Sequence, residues 1–535
     1  MILIDNTKQI LQDIKYFGGT ISLKDDNLKL SFPDDFSNPD LLERIKINKS
    51  SLINFLVNES HIKPTLKQTG FRATSGQKGL WVLSQFEEGA KAYHITTVFD
   101  LIGELNPIFL EKSFQILMDR HEVLRTTFYS DEEGELYQQI HEKGELNLAF
   151  SYFEEYNFSK QEELLNKHEN AIFDLGKDSL FRCILIKGEG ENNILGLTLH
   201  HIICDGWSVG ILIKELLHIY DQLSKEEDVV LPELKIQYKD YACWQTNRVS
   251  KMELSQYYWK DKLSGELPML DLLGYQTRPP VKTYVGNRVL LSIDKLKVEK
   301  WKEICNKNSA TLFMGLLTGL NAVLSRYTSQ QDFIIGTATA GRIHQDVINQ
   351  IGFYVNTLPI RAKVTSESSF LDLLSEVRET TLEAFEHQEY PFNAILEDID
   401  IRRDASRSPL FDCMLVLQNN EKISIESKGL KVIQRDNVSK TSKYDISFVF
   451  TENKDGELNL ELEYNADLYQ QDFMKQLGTH YINLMNGMVV NENIPICSLE
   501  YLSVQEKHQL LVEFNKTEVD YPKDKTFINL INEQV

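Results

Sequence analysis

The sequence is short of the features that mark exported, membrane-spanning and nucleic-acid-binding chains. Its six cysteines (Cys183, Cys204, Cys243, Cys305, Cys413 and Cys497) lie scattered with no CxxC pair. That excludes a disulfide framework or a zinc-ribbon spacing and fits reduced thiols in a cytoplasm. Positive charge is scarce: 57 Lys and Arg face 79 Asp and Glu, a formal net charge of −22. The balance opposes broad attraction to phosphate backbones or anionic lipid, so neither nucleic acid nor a membrane is an expected partner. No run of about 18 apolar residues occurs, and the opening MILIDNTKQI carries Asp5 inside its apolar stretch with no basic region before it. Neither a membrane span nor an export signal is expected.

What is present is ordinary globular composition: 42% hydrophobic, 25% charged, 27 Gly and 13 Pro in 535 residues. At about 150 residues per domain there is room for roughly 3.6 domain-sized units. Residues 1–60 read as a small unit of helix, two strands and helices. Ile10, Leu11, Ile14 and Phe17 fall at helical spacing before Gly18-Gly19. Ile21 and Leu23 then alternate with polar residues, Asp25-Asp26-Asn27 supply a turn, and Leu28, Leu30 and Phe32 alternate again. Leu42, Ile45, Leu52, Phe55 and Leu56 mark one or two helices between Pro39 and Glu59. The hairpin exposes two strand edges, which suit either docking of a peptide or packing on the main body.

Residues 61–75 lack periodicity and read as a linker. From Gln77 onward strands and helices alternate for over 400 residues, a mixed α/β body too long for one simple sheet. Two halves meeting near residue 240 would place a substrate cleft at their junction.

The chemistry concentrates in Ile194-Leu-Gly-Leu-Thr-Leu-His200-His201-Ile-Ile-Cys204-Asp205-Gly206-Trp207-Ser208. An apolar strand ends in two histidines, and an acidic residue and a glycine open an amphipathic helix. Adjacent strand side chains point to opposite faces, so His200 and His201 cannot both address one reacting atom, and as paired ligands of one metal they are poorly placed. Asp205 is suited to fix the turn through a hydrogen bond or a cation, and Gly206 to allow positive φ or close backbone approach.

His200-His201-Ile-Ile-Cys204-Asp205-Gly206 resembles the HHxxxDG signature of condensation domains of nonribosomal peptide synthetases. Further segments follow in that family's order. Arg120-His-Glu-Val-Leu-Arg125-Thr-Thr-Phe128 resembles RHExLRTxF, and Tyr238-Lys-Asp240-Tyr-Ala-Cys-Trp244 resembles YxDYAxW. Gly336-Thr-Ala-Thr-Ala-Gly341-Arg342 resembles GTxxAGR, and Ile351-Gly-Phe-Tyr-Val-Asn356-Thr-Leu358 resembles IGxFVNTL. His387-Gln-Glu-Tyr-Pro391-Phe392 resembles HQxxPF, and Arg403-Asp404-Ala-Ser-Arg407-Ser-Pro409-Leu410 resembles RDxSRxPL. Two departures stand out: Gly79 occupies the place of an arginine in the first motif, Thr74-Ser-Gly-Gln77-Lys-Gly79-Leu80-Trp81, and Cys204 that of a serine. Cys204 follows apolar Ile202 and Ile203, which would keep a thiol protonated.

The resemblance implies a two-lobed, V-shaped fold like chloramphenicol acetyltransferase, with an N-lobe over 76–245 and a C-lobe over 246–515. It implies amide formation between an upstream acyl or peptidyl thioester and a downstream aminoacyl amine. Each rides on a phosphopantetheine arm delivered by a carrier protein, with no cofactor or metal bound by this chain. His201 is then the cleft-facing imidazole, His200 a buried scaffold residue and Asp205 structural, with Arg342 as its salt-bridge partner. Backbone N–H groups near Gly206 are expected to face the developing oxyanion. Trp207 and Ser208 lie at the helix start and Asn356 at the lobe junction.

Residues 1–60 are similar to TubC-type docking domains, which implies that the hairpin of Ile21, Leu23, Leu28 and Leu30 grips the C-terminal segment of an upstream subunit. Residues 516–535 resemble the linker into an adenylation domain. The pattern looks most like domains that take an L-configured donor; cyclization and epimerization domains fit less well. A free-standing acyltransferase using soluble thioesters and a non-catalytic recruitment module are the competing readings.

Overall fold

The structure is a computed structural model. It describes residues 62–274, 276–401, 404–418, 423–427, 429–435, 440–518, 520 and 522–535, and, before these, 10, 13–14, 20–24, 27–33, 38–49 and 52–53. In the N-terminal unit, strands Thr20–Lys24 and Asn27–Ser31 pair antiparallel, with Ile21 opposite Leu30 and Leu23 opposite Leu28. Helix Pro39–Ile47 starts where Asn38 accepts the Leu41 N–H at 3.0 Å and Pro39 supplies a preset φ. Ile10, Ile14, Leu41, Ile45 and Leu52 are buried together, with Ile21, Leu28, Leu30 and Phe32 packed against them. Leu42, one of the apolar positions that mark this helix in the sequence, is 45% exposed because the helix turns Leu41 and Ile45 inward. Leu11, Phe17, Phe55 and Leu56, the turn residues Asp25 and Asp26, and the Leu23 side chain lie outside the described residues.

The body holds two six-stranded sheets, each with its own core, as in the chloramphenicol acetyltransferase fold. The first runs, in spatial order, Ser424–Ser427, Leu430–Gln434, His94–Ile102, Asn192–His200, Phe181–Lys187 and Ala149–Glu154. The second runs Gly286–Ile293, Leu458–Asn465, Ile446–Glu452, Cys413–Gln418, Asp332–Thr339 and Asn356–Lys363. Helix Leu312–Thr328 is buried on all sides from Met314 to Leu324, so it forms the centre of the second core. Helices Pro107–Arg120 and Gly206–Ser224 pack against each other in the first.

The chain crosses between lobes twice after residue 245. Hairpin Ser424–Gln434 adds to the open edge of His94–Ile102, with Val432 opposite Leu101, and buries Leu430 and Val432. A loop after strand Asp332–Thr339 sends Val347, Ile351 and Tyr354 into the first core. The stretch expected as a linker is a strap on this lobe. Ile62 is buried, the Thr65 N–H donates to Asp240 Oδ1 at 2.6 Å, and Phe71–Arg72 pairs with strand Leu136–Ile140. Among the described residues no helix is long and apolar enough to cross a membrane.

Candidate active site

Between the lobes lies a cleft of about 2340 Å³ whose walls include His201, Gly206, Tyr93, Phe353, Asn356 and Lys443. Strand Asn192–His200 ends one residue earlier than the sequence suggests: His201 opens a 3₁₀ turn, His201–Ile203, and helix Gly206–Ser224 follows. The turn is tied down from three directions. The His201 N–H donates to the Tyr93 carbonyl at 2.8 Å, Gln77 Nε2 donates to the Ile202 carbonyl at 3.0 Å, and the Ile202 N–H donates to His200 Nδ1 at 3.1 Å. Gln77 is itself held by a capping box with Thr74 at the start of helix Ser75–Ser84. The segment resembling the first family motif thus braces the histidine turn.

His200 is buried, with Nε2 lacking a partner, and burial followed by the charges of His94 and Lys443 pushes its pKa down to about 3. His201 lies on the cleft wall. Its Nδ1 is enclosed, and its ring meets Phe353 edge-on at 5.2 Å and Tyr93 at 6.5 Å. Burial, and next to it Lys443, holds the His201 imidazole well below the usual histidine range. It is therefore neutral at physiological pH, an acceptor rather than a cation.

Asp205 is the N-cap of helix Gly206–Ser224 and wholly buried. Its Oδ1 accepts from Ser208 N at 2.8 Å, Ser208 Oγ at 2.7 Å and Arg342 Nη2 at 3.0 Å. Its Oδ2 accepts from Tyr354 N at 3.1 Å and Arg342 Nη2 at 3.3 Å. Arg342 arrives from the interlobe loop, and its Nη1 donates to the Val347 and Gln350 carbonyls at 2.6 and 2.7 Å. Gly341 before it has φ +63°, and a Cβ there would lie 1.9 Å from the Tyr354 carbonyl oxygen, so only glycine lets this loop close on Asp205. Ser208 Oγ also lies 2.7 Å from Arg342 Nη2 and 3.1 Å from Gly352 N. The cluster is a buried, multiply hydrogen-bonded clamp that fixes the helix start to the loop.

Other residues fall differently from expectation. Gly206 does not have positive φ, and a Cβ there would meet nothing within 4 Å. Its surroundings are open cleft at the helix N-terminus, not a tight backbone approach. Trp207, expected to pack at the helix start, is 43% exposed and anchored by Nε1 donating to the Ile348 carbonyl at 3.1 Å. Asn356 clamps the opposite wall, with Nδ2 donating to the Gln388 and Tyr390 carbonyls at 2.8 Å each and Oδ1 accepting from Phe392 N at 3.0 Å. The Arg120-His121 pair belongs to the scaffold: both side chains reach Glu215 on the helix that His201 precedes, at 3.1 and 2.7 Å. Burial pushes the Cys204 thiol well up, which leaves it inert as a nucleophile. Gly79 is a contact point between lobes. A Cβ there would come 2.4 Å from Asn393 Nδ2, which donates to the Ser75 carbonyl at 2.5 Å.

Sequence reasoning missed Tyr354, Phe353 and Lys443. The first two sit inside the segment resembling IGxFVNTL and carried an available signal, two adjacent aromatics after a glycine; Lys443 sits in Thr-Ser-Lys-Tyr and carried none.

The condensation-domain family matches residues 67–511. The chain is 36% identical over 474 residues to surfactin synthase subunit 1 of Bacillus subtilis (strain 168), covering 88% of this chain and 13% of that protein. It is 36% identical over 490 residues to gramicidin S synthase 2 of Brevibacillus brevis, covering 91% and 11%. It therefore spans less than a fifth of the length of these relatives. Among solved structures, the X-domain from teicoplanin biosynthesis superposes with a TM-score of 0.77 at 22% identity, covering 83% of this chain and 100% of that one. The first condensation domain of the calcium-dependent antibiotic synthetase superposes with a TM-score of 0.66 at 16% identity, covering 82% and 100%. With the histidine turn, its clamp and the interlobe cleft in place, the chain belongs to the condensation-domain family of nonribosomal peptide synthetases, the acyltransferase domains that form amide bonds.

Proposed function

We propose that this chain joins an upstream carrier-bound acyl or peptidyl thioester to the amine of a downstream carrier-bound aminoacyl thioester inside the interlobe cleft. The observation that carries the reading is His201: a neutral imidazole on the cleft wall, on a turn that the Asp205–Arg342 clamp holds rigid. Thioesters react readily with amines, so the site has to supply a neutral, aligned amine about 3 Å from the carbonyl and to exclude water. With Nδ1 enclosed, Nε2 is the nitrogen that meets substrate. An imidazole whose pKa is held so low is a weak base, which favours hydrogen-bond acceptance that orients the amine over lasting proton storage. The helix N-terminus at Gly206 opens on the same cleft, where its N–H groups would face the adduct oxygen.

The phosphopantetheine arms come with the carrier proteins and reach the cleft as part of the substrates. The hairpin Thr20–Ser31 would take the C-terminal segment of an upstream subunit as an added strand, and residues 516–535 would lead toward an adenylation domain. The buried, intact clamp supports the catalytic reading over recruitment alone, because a binding module has no use for a neutral imidazole aimed into a cleft. The test is a mass-spectrometric condensation assay with two loaded carrier proteins. Product is expected with matched carriers, and removal of residues 1–60 is expected to abolish it only when the donor sits on its native upstream subunit. Turnover of acyl-coenzyme A without carriers would contradict the proposal.

A further inference from the structure

Among the described residues, five Lys and Arg side chains line the cleft, and four of them have an oxygen to hold. Lys78 pairs with Glu135 at 2.7 Å, Arg248 with Glu389 at 3.2 Å, and Arg407 with Asp412. Lys282 donates to Ser408 Oγ and to the Lys443 carbonyl. Lys443 Nζ is different: among the described residues it has no hydrogen-bond acceptor and no carboxylate at ion-pairing distance. Its ammonium lies 5.2 Å from the Tyr93 ring centroid, and the Tyr93 ring lies 6.5 Å from that of His201, so the cation and the imidazole share Tyr93 as a neighbour. Burial lowers the Lys443 pKa while Glu463, itself held by Arg288 at 3.5 Å, raises it. A cation kept in a partly desolvated cleft without a counter-oxygen is costly unless the reaction brings one.

We infer that Lys443 meets the negative charge that develops on the donor carbonyl oxygen, donating a hydrogen bond to the oxyanion of the tetrahedral adduct. This rests on the condensation reading above. The amine lone pair forms the C–N bond while the carbonyl π pair moves onto oxygen, opposite the ammonium. Collapse returns that pair, the C–S bond breaks with its electrons going to sulfur, and the proton lost by nitrogen ends on the thiolate. Thioester and amine become amide and thiol. A full charge preorganised beside this oxygen adds to the partial charge of the helix N-terminus at Gly206.

The test is single-turnover condensation by the full chain with loaded carriers, using donor and acceptor residues with neutral and with carboxylate side chains. Lys443→Met keeps the aliphatic stem and is expected to slow every pair about 100-fold with carrier affinity unchanged, whereas Lys443→Arg keeps the charge and stays within about tenfold of wild type. Lys443→Gln gives the same uncharged comparison should the Met variant melt early. A rate within about threefold of wild type for the uncharged variants would overturn the inference. So would equal losses in the Arg and Met variants at unchanged melting temperature. A loss confined to carboxylate-bearing pairs would also overturn it, because the anion would then belong to the substrate side chain. The wild type run in parallel separates the two ideas: if it forms no amide with any matched pair of carriers, the condensation reading fails whatever Lys443 does.

Discussion

Two sides of the same histidine turn are built on opposite principles. Behind it, the Asp205 carboxylate accepts from Ser208, Arg342 and the Tyr354 backbone, and both of its oxygens are occupied. In front of it, Lys443 Nζ lines the cleft with no hydrogen-bond acceptor among the described residues, and His201 faces the same cleft with its Nδ1 enclosed. Buried polar groups are normally satisfied, so a saturated carboxylate reads as scaffold, while unpartnered groups on a cleft wall mark where substrate supplies the missing atoms. Charge alone would not have told these apart, since the most conspicuous ion pair of the site is the one buried behind the cleft wall.

The largest loss is expected from behind the turn. Arg342→Ala leaves Asp205 as a buried, uncompensated charge and is expected to destabilise the protein by about 3–5 kcal/mol in urea unfolding. A loss under about 1 kcal/mol would show that the clamp is not structural.

A smaller effect follows from the buried imidazoles. Burial holds His94 at about 4 and His168 and His200 at about 3, all below the unfolded value of 6.5. A depressed folded-state pKa means the unfolded chain binds more protons, so the stability they contribute is complete above 6.5 and is lost as pH falls toward 3–4. Between pH 7 and 5 each should forfeit at most about 2 kcal/mol, and replacing His94 by Phe should flatten the pH dependence seen in denaturant melts. An unchanged slope would place the proton uptake elsewhere.

The smallest effect concerns the lobe contact. Gly79→Ala forces Asn393 to swing off the Ser75 carbonyl, at an expected cost of about 1 kcal/mol in thermal or urea unfolding. A neutral result would mean that the Asn393 side chain yields without loss.

Much of this was legible in the sequence. The strand, turn and helix around His200–Ser208 follow from local pattern, and Asp205 and Arg342 were marked by motifs that resemble a known family. Local reading erred where distant partners decide. Leu430 and Val432 fall in the stretch expected as C-lobe, 246–515, yet they complete the first sheet by covering the open edge of His94–Ile102. The aperiodic residues 62–75 have no amphipathic face to read, since they are held by Asp240, Asp346 and strand Leu136–Ile140. Gly206 was expected to allow positive φ or a close backbone approach; its small size instead leaves open space at the helix start. Lys443 carries no sequence signal because its meaning lies in what is missing around it.

The most direct test of the account is single-turnover amide formation between two loaded carrier proteins, comparing wild type with His201→Ala and following folding by thermal melting. The expected result is amide from the wild type, a rate loss of about 100-fold or more in the variant, and matching melting temperatures. Equal amide formation by both proteins would contradict it, because the cleft would then promote condensation without the imidazole on which the account depends.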